Sequence, residues 1–218
     1  MAGNLRDFVN RAMSYCWDER HGYSQVNDGM GHPDFDCSGL VCRCLYEAGF
    51  NFPSYHIGTM YLKDPLIAAG FQIYYPTSNS DLESVIKPGD IVVMNHLDWT
   101  GGHTFIYMED VTAYTDYNAD YDTTGIVHKV KVEASSSRGE TSSGDHKKNG
   151  YGAYWEVWVH AYWQLVVGYS FTSSNDEIYV AHYPGGMDNY KDLLLLKRIR
   201  DGQFDQDSWN NKFFDIGM

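Results

Sequence analysis

The stretch that decides the fold is Asp34-Phe35-Asp36-Cys37-Ser38-Gly39-Leu40-Val41-Cys42-Arg43-Cys44-Leu45. Asp36 is a good helix N-cap, because a short carboxylate accepts hydrogen bonds from the open backbone N–H groups of a first turn. The spacing predicts a helix from Asp36 to about Ala48, closed by Gly49 as its C-cap. Val41, Cys44, Leu45 and Ala48 follow Cys37 at helical spacing, so one stripe packs inward with Cys37 at its N-terminal end. There the unpaired N–H groups and the helix dipole favour a thiolate, and the same N–H groups can hold an oxyanion. Gly39 costs about 1 kcal/mol inside a helix, which predicts that another backbone approaches it closely. Cys16, Cys42 and Cys44 read as small core residues. The spacing of Cys37, Cys42 and Cys44 matches neither a zinc knuckle nor a Cys-x-x-Cys redox pair.

Upstream, Leu5, Phe8, Val9, Ala12, Met13, Cys16 and Trp17 recur at intervals of three and four, predicting an amphipathic helix. His21 to Asp34 reads as an irregular loop. A third short helix is expected over Ile57–Ala69. After the turn Lys87-Pro88-Gly89-Asp90 the pattern becomes extended, with strands expected at Ile91–Met94, His103–Glu109, Ile126–Glu133, Trp155–Trp163 and Ile178–His182. Leu193–Ile199 suits either strand or helix. Helices first and strands later predict an α+β domain in which N-terminal helices pack on a central antiparallel sheet. The 218 residues suit one domain. Its core is expected at about 5–163, with 164–218 as a C-terminal extension of the same domain. Ser135–Gly152 reads as a surface loop.

A hydrophobic fraction of 43% and an aromatic fraction of 16% argue for a packed chain. A net charge of −13 excludes nucleic acid as an expected partner, since phosphate binding uses clustered Lys and Arg. It disfavours anionic membrane surfaces for the same reason. The first residues, Met1 to Phe8, show no apolar signal region, and no run approaches the ~20 apolar residues of a membrane span. Synthesis in the cytoplasm without a signal peptide is therefore expected, and without a secretion signal disulfides are not.

A thiolate enzyme needs an imidazole within reach, held by a third group. Among nine histidines, His103 stands out in Gly101-Gly102-His103-Thr104-Phe105-Ile106-Tyr107, at the start of an alternating strand with glycines that leave room for a substrate backbone. His96 is its nearest rival and reads as a loop residue. His21, His32, His56, His146, His160 and His182 read as surface or satisfied structural residues.

The run Asp36-Cys37-Ser38-Gly39-Leu40-Val41 resembles the nucleophile motif of NlpC-like cell-wall peptidases, which are papain-fold enzymes related to the CHAP amidases and several phage endolysins. Gly102-His103 with Ile106-Tyr107, preceded by Lys87–Asp90, is similar to that family's base-bearing strand and turn. The resemblance covers roughly Leu5 to Trp163 and implies a papain-like fold and a peptidoglycan hydrolase with no cofactor. Peptidoglycan is the implied partner, reached after release by a holin-type or other non-secretory route. Cys37 is the implied nucleophile and His103 its base. The third member is implied directly before Ala134-Ser135, where Glu133 stands; the family often has a second His there. A carboxylate can still accept the imidazole's other N–H, with His128 as the alternative. Tyr23 matches the place of a family tyrosine that lines the oxyanion site, although the Gly-Gly usual after it is absent. Asp36 and Ser38, flanking the thiol, are further candidates for oxyanion or substrate contact.

Asp116, Asn118, Asp120 and Asp122 are spaced like an oxygen-rich Ca²⁺ loop, but Tyr121 occupies the position where an EF-hand has glycine. No metal is expected on balance. An N-acetylmuramoyl-L-alanine amidase would use the same constellation as an endopeptidase. A wall-binding module without catalysis is an alternative of another class, with Tyr151–Trp163 and Trp209 as stacking surfaces. A papain-fold acyltransferase or deamidase is a third.

Overall fold

The computed structural model describes residues 3–17, 21, 23–25, 29–32, 34–112, 127–135, 153–159, 165, 166 and 168–186. Helix α1 (Leu5–Trp17) is followed by α2 (Cys37–Glu47), a 3₁₀ turn at Thr59–Tyr61, α3 (Lys63–Ala68), β1 (Gln72–Tyr74) and α4 (Asn79–Val85). Strands β2 (Ile91–His96), β3 (Gly102–Thr112), β4 (Val127–Ala134), β5 (Ala153–Val159) and β6 (Asp176–His182) complete the elements among the described residues. They form one six-stranded sheet in the order β1-β6-β2-β3-β4-β5. Every pairing is antiparallel. The protein is α+β, with an antiparallel sheet as expected.

Alternation along the strands separates two cores. Ile91, Val93, Ile106, Val132, Ala134, Tyr179 and Ala181 face α1 and α2. Val92, Met94, Phe105, Tyr107, Ile178 and Val180 face Leu82 of α4 together with Leu165 and Val166. Each fully buried aliphatic or aromatic side chain in these layers contributes about 1.5–3 kcal/mol. With both faces covered, β2 reads as a continuous apolar run rather than an alternating one. The described part of the expected C-terminal extension is integral to the sheet, since β6 lies between β1 and β2.

Helix α1 buries Leu5, Phe8, Val9 and Ala12. It docks on α2 through a polar seam in which Arg11 (3.2 Å) and the Tyr15 hydroxyl (2.8 Å) meet the Glu47 carboxylate. Helix α2 is buried on more than the one stripe anticipated: Leu40 and Cys42 are enclosed as well as Val41, Cys44 and Leu45. It ends with Gly49 in the left-handed region (φ +77°). There the Gly49 and Phe50 N–H groups donate to the Tyr46 and Leu45 carbonyls, both at 3.1 Å, a Schellman ending.

Several expectations are corrected. The helix anticipated over Ile57–Ala69 is split into a 3₁₀ turn and α3, with Leu62 as the junction. Helix α4 and strand β1 carry too few apolar residues to show a period and were not anticipated. His96 is not a loop residue; it is the last residue of β2. Asp116, Asn118, Asp120, Asp122, Leu193–Ile199 and Trp209 lie outside the described residues, as do nearly all of Ser135–Gly152 and the end of the strand anticipated to reach Trp163.

The backbone approach expected at Gly39 is present. A Cβ built on Gly39 would stand 1.8 Å from the carbonyl oxygen of Gly29. Gly29 is held there by the Asp36 N–H, which donates to that same oxygen at 2.9 Å. Gly39→Ala therefore forces the 29–36 segment away from α2. We expect a loss of about 1–3 kcal/mol or more, read as a lower urea midpoint. An unchanged midpoint would show that the contact is not required.

Candidate active site

The nucleophile's position follows from the cap. The backbone of Asp36 is extended (φ −97°, ψ 176°) and its side chain accepts from the Gly39 N–H. That bond is 2.6 Å long, and the same oxygen accepts from the Ser38 hydroxyl at 3.0 Å. The other carboxylate oxygen meets His56 Nε2 at 2.8 Å, and that nitrogen also lies 3.0 Å from the Ser38 oxygen. Asp36 and Ser38 are thus buried and engaged in holding the helix start, with His56 as their outer partner. Cys37 follows directly, 7% exposed. Because Asp36 takes the Gly39 N–H, the Cys37 and Ser38 N–H groups are left uncapped among the described residues. They are the groups an oxyanion would use.

The pairing register of β3 with β4 brings the base to its orienter. His103 Nε2 lies 2.7 Å from Glu133 Oε2, which leaves Nδ1 as the nitrogen for the thiol. Burial works against a charge on His103, yet Glu133 and a hydrogen bond with Cys37 raise its pKa from 6.5 to about 9. The carboxylate thus holds one ring nitrogen of His103, and Cys37 lies close enough to influence the charge of the same ring.

Glu133 is deeply enclosed at 2% exposed, and Lys131 beside it is 3% exposed. Lys131 Nζ lies 3.0 Å from Glu133 Oε2 and 4.9 Å from the centre of the Phe105 ring. Burial pushes the Glu133 pKa up, but Lys131 and His103 more than offset it and hold the group below the ordinary carboxylate range.

Cys42 and Cys44 are fully buried. Burial drives the Cys42 thiol up to about 12 and Cys44 well above its ordinary value, which suits inert core residues. The Cys16 and His128 side chains lie outside the described residues. Tyr23 bridges Phe35, two residues before Cys37, and is partly buried against the larger core.

A second cluster, formed by His96, Asp176 and Tyr169, was not anticipated from the sequence. His96 Nδ1 lies 2.7 Å from Asp176 Oδ1, and its ring stacks on Tyr169 at 4.4 Å and 19°. Burial raises the Tyr169 hydroxyl to about 12, with Cys37 and Asp176 adding to the effect, so Tyr169 stands near the nucleophile. The His96 N–H donates to the Gly101 carbonyl and Met94 is the partner of His103, so the two imidazoles occupy the same sheet face. Period and motif carry no signal for a partner that lies eighty residues away in β6.

The room expected at the glycines is also redistributed. A Cβ on Gly102 would stand 2.0 Å from the Thr59 hydroxyl, so the 3₁₀ turn fills that space rather than substrate. Gly101 is exposed and open except for the edge of His96, 3.7 Å from where a Cβ would sit. Trp99, in the same turn, is held at φ +68°. Its ring is 63% exposed and lies 5.6 Å from that of Tyr61. Among the described residues, no group of three or more His, Cys, Asp and Glu could hold a metal ion.

The raised His103 pKa makes stability depend on pH with a definite sign. Its contribution is complete below the unfolded value of 6.5 and is lost as pH rises through about 9. Urea midpoints of the parent should decline across that window, and those of His103→Gln should lack this decline. Parallel curves would remove the Glu133–His103 ion pair from the account. No family model matches the chain and no curated protein matches it, so the functional reading rests on these residues and their geometry.

Proposed function

We propose that the chain is a thiol hydrolase of papain type that cleaves amide bonds in the peptide of bacterial peptidoglycan. The observation that carries this reading is a single imidazole shared between a cysteine at a capped helix start and a buried carboxylate. The six-residue run at Asp36–Val41 and the Gly-His strand narrow it to the NlpC-like group, and the negative chain suits a neutral or partly cationic polymer.

In this reading His103 holds Cys37 as a thiolate, which attacks the amide carbonyl and forms a C–S bond. The oxyanion is met by the Cys37 N–H, with Tyr23 as its candidate neighbour. His103 then passes its proton to the amine as the C–N bond breaks. Water, deprotonated by His103, attacks the thioester, releasing the acid and restoring the thiol. Glu133 keeps the ring oriented and the imidazolium stabilised throughout. Asp36, Ser38 and His56 serve by fixing the helix start.

Purified sacculi provide the test. Cys37→Ala should lower the rate of turbidity loss by roughly 10³-fold or more while the fold is kept. His103→Ala should do the same, whereas His96→Ala should stay within about tenfold of the parent, because its ring pairs with Asp176 and Tyr169 rather than Cys37. Glu133→Gln should fall between these. Full lysis by the Cys37 variant would sink the proposal and leave a binding module. Product masses separate endopeptidase from N-acetylmuramoyl-L-alanine amidase.

A further inference from the structure

The Glu133 carboxylate serves two cations through one oxygen. Oε2 receives His103 Nε2 at 2.7 Å and Lys131 Nζ at 3.0 Å. The ammonium and the imidazole are therefore held within two hydrogen-bond lengths of each other. All of this lies beneath the surface, since the Lys131 and Glu133 side chains are 4% and 2% exposed. A lysine in such a place is unusual, because removing an ammonium from water is costly unless its charge is met. Its ammonium lies over the Phe105 ring, and Phe105 belongs to the apolar cluster that includes Leu165 and Val166. Tyr107 stands opposite Lys131 in register on β3, and Glu156 is its register partner on β5.

We propose that Lys131 is a positioning residue of the Cys37–His103 site, whose ammonium keeps Glu133 ionised and aimed when His103 has given up its proton. The proposal deepens the hydrolase reading and rests on it only for its effect on turnover. During acylation the imidazolium must surrender its proton to the leaving amine. With a neutral imidazole and no Lys131, the carboxylate would stand alone in the interior, a state of high cost. The pair would then retain its proton, and His103 would become a poorer acid. Lys131 removes that obstacle by supplying a charge that does not leave during the reaction. Its assigned part is to act through Glu133, the carboxylate that it meets at 3.0 Å.

The charge arrangement is measurable without substrate, from the NMR titration of the His103 ring in the full chain. Lys131→Met should move its midpoint upward by about one pH unit or more. Lys131→Arg, which keeps the charge, should restore it. A residue that only fills space would leave the midpoint where it is, and that result would overturn the proposal. Coupling is tested in the Glu133→Gln background, where adding Lys131→Met removes only the direct repulsion between ammonium and imidazole and should move the His103 midpoint, and the pH profile of Cys37 alkylation by iodoacetamide, by clearly less than it does beside the intact carboxylate. A shift of equal size there would also overturn it, since Lys131 would not be acting through Glu133. Where Lys131→Met fails to fold, Lys131→Gln, which also removes the charge but keeps a polar head beside Glu133, takes its place in both backgrounds. Sacculus lysis by Lys131→Met should slow at least about tenfold, with its optimum at higher pH. A chain that lyses no sacculi yet shows the His103 shift would refute the hydrolase reading and uphold this one. Unimpaired lysis with an unmoved midpoint would do the reverse.

Discussion

The start of α2 is held by one side chain, and the placement of the reactive groups depends on it. Asp36 spends one oxygen on the Gly39 N–H and the Ser38 hydroxyl and the other on His56. Its backbone N–H meanwhile fixes the Gly29 carbonyl against Gly39. A cap of this kind is ordinarily worth about 1 kcal/mol. Here it also sets the direction in which Cys37 leaves the helix and keeps the N–H groups of the first turn open beside the thiol. The close approach leaves no space for a side chain at position 39, which explains a glycine where helix propensity alone would reject one.

The second constraint is electrostatic and lies on the other side of the site. Three ionisable groups, His103, Glu133 and Lys131, meet around one oxygen atom in the interior. Such clusters stabilise a fold only while complete, because each member offsets the desolvation of the others. The imidazole gains a raised pKa from this arrangement, and Glu133 keeps its charge despite burial.

Much of this was readable in the residues, for identifiable reasons. The helix at Cys37, its cap and its glycine are local features, fixed by groups within three or four positions of one another. The five strands from β2 to β6 announced themselves by extended apolar runs, and His103 by its place at the head of one. What escaped was whatever depends on partners distant in sequence. Glu133 was expected beside His103, but nothing in the residues marked Lys131 as its buried partner. In the fold both side chains are buried, and Lys131 stands over Phe105 of the smaller core. His96 looked like a loop residue because its carboxylate, Asp176, comes from β6. His56 could not be linked to Asp36 without the path of the chain between them. Helix α4 is seven residues long with one buried side chain, too little for a periodic signal.

The position of β6 bears on when the molecule can form. Residues 176–182 lie inside the sheet, hydrogen-bonded to β1 on one side and β2 on the other. On a ribosome, β1 through β5 all emerge before that strand exists, and until it arrives β1 and β2 each present an unpaired edge. The Met94–Val92 face would likewise lack Ile178 and Val180, and His96 would lack its carboxylate. Long-range closure of this sort is slow relative to helix formation. The nascent chain would carry Cys37 and His103 for a long stretch of synthesis before the sheet that supports them is complete. A partly made polypeptide is therefore exposed to aggregation along its open strands, and competence arrives late and as a unit rather than growing with length.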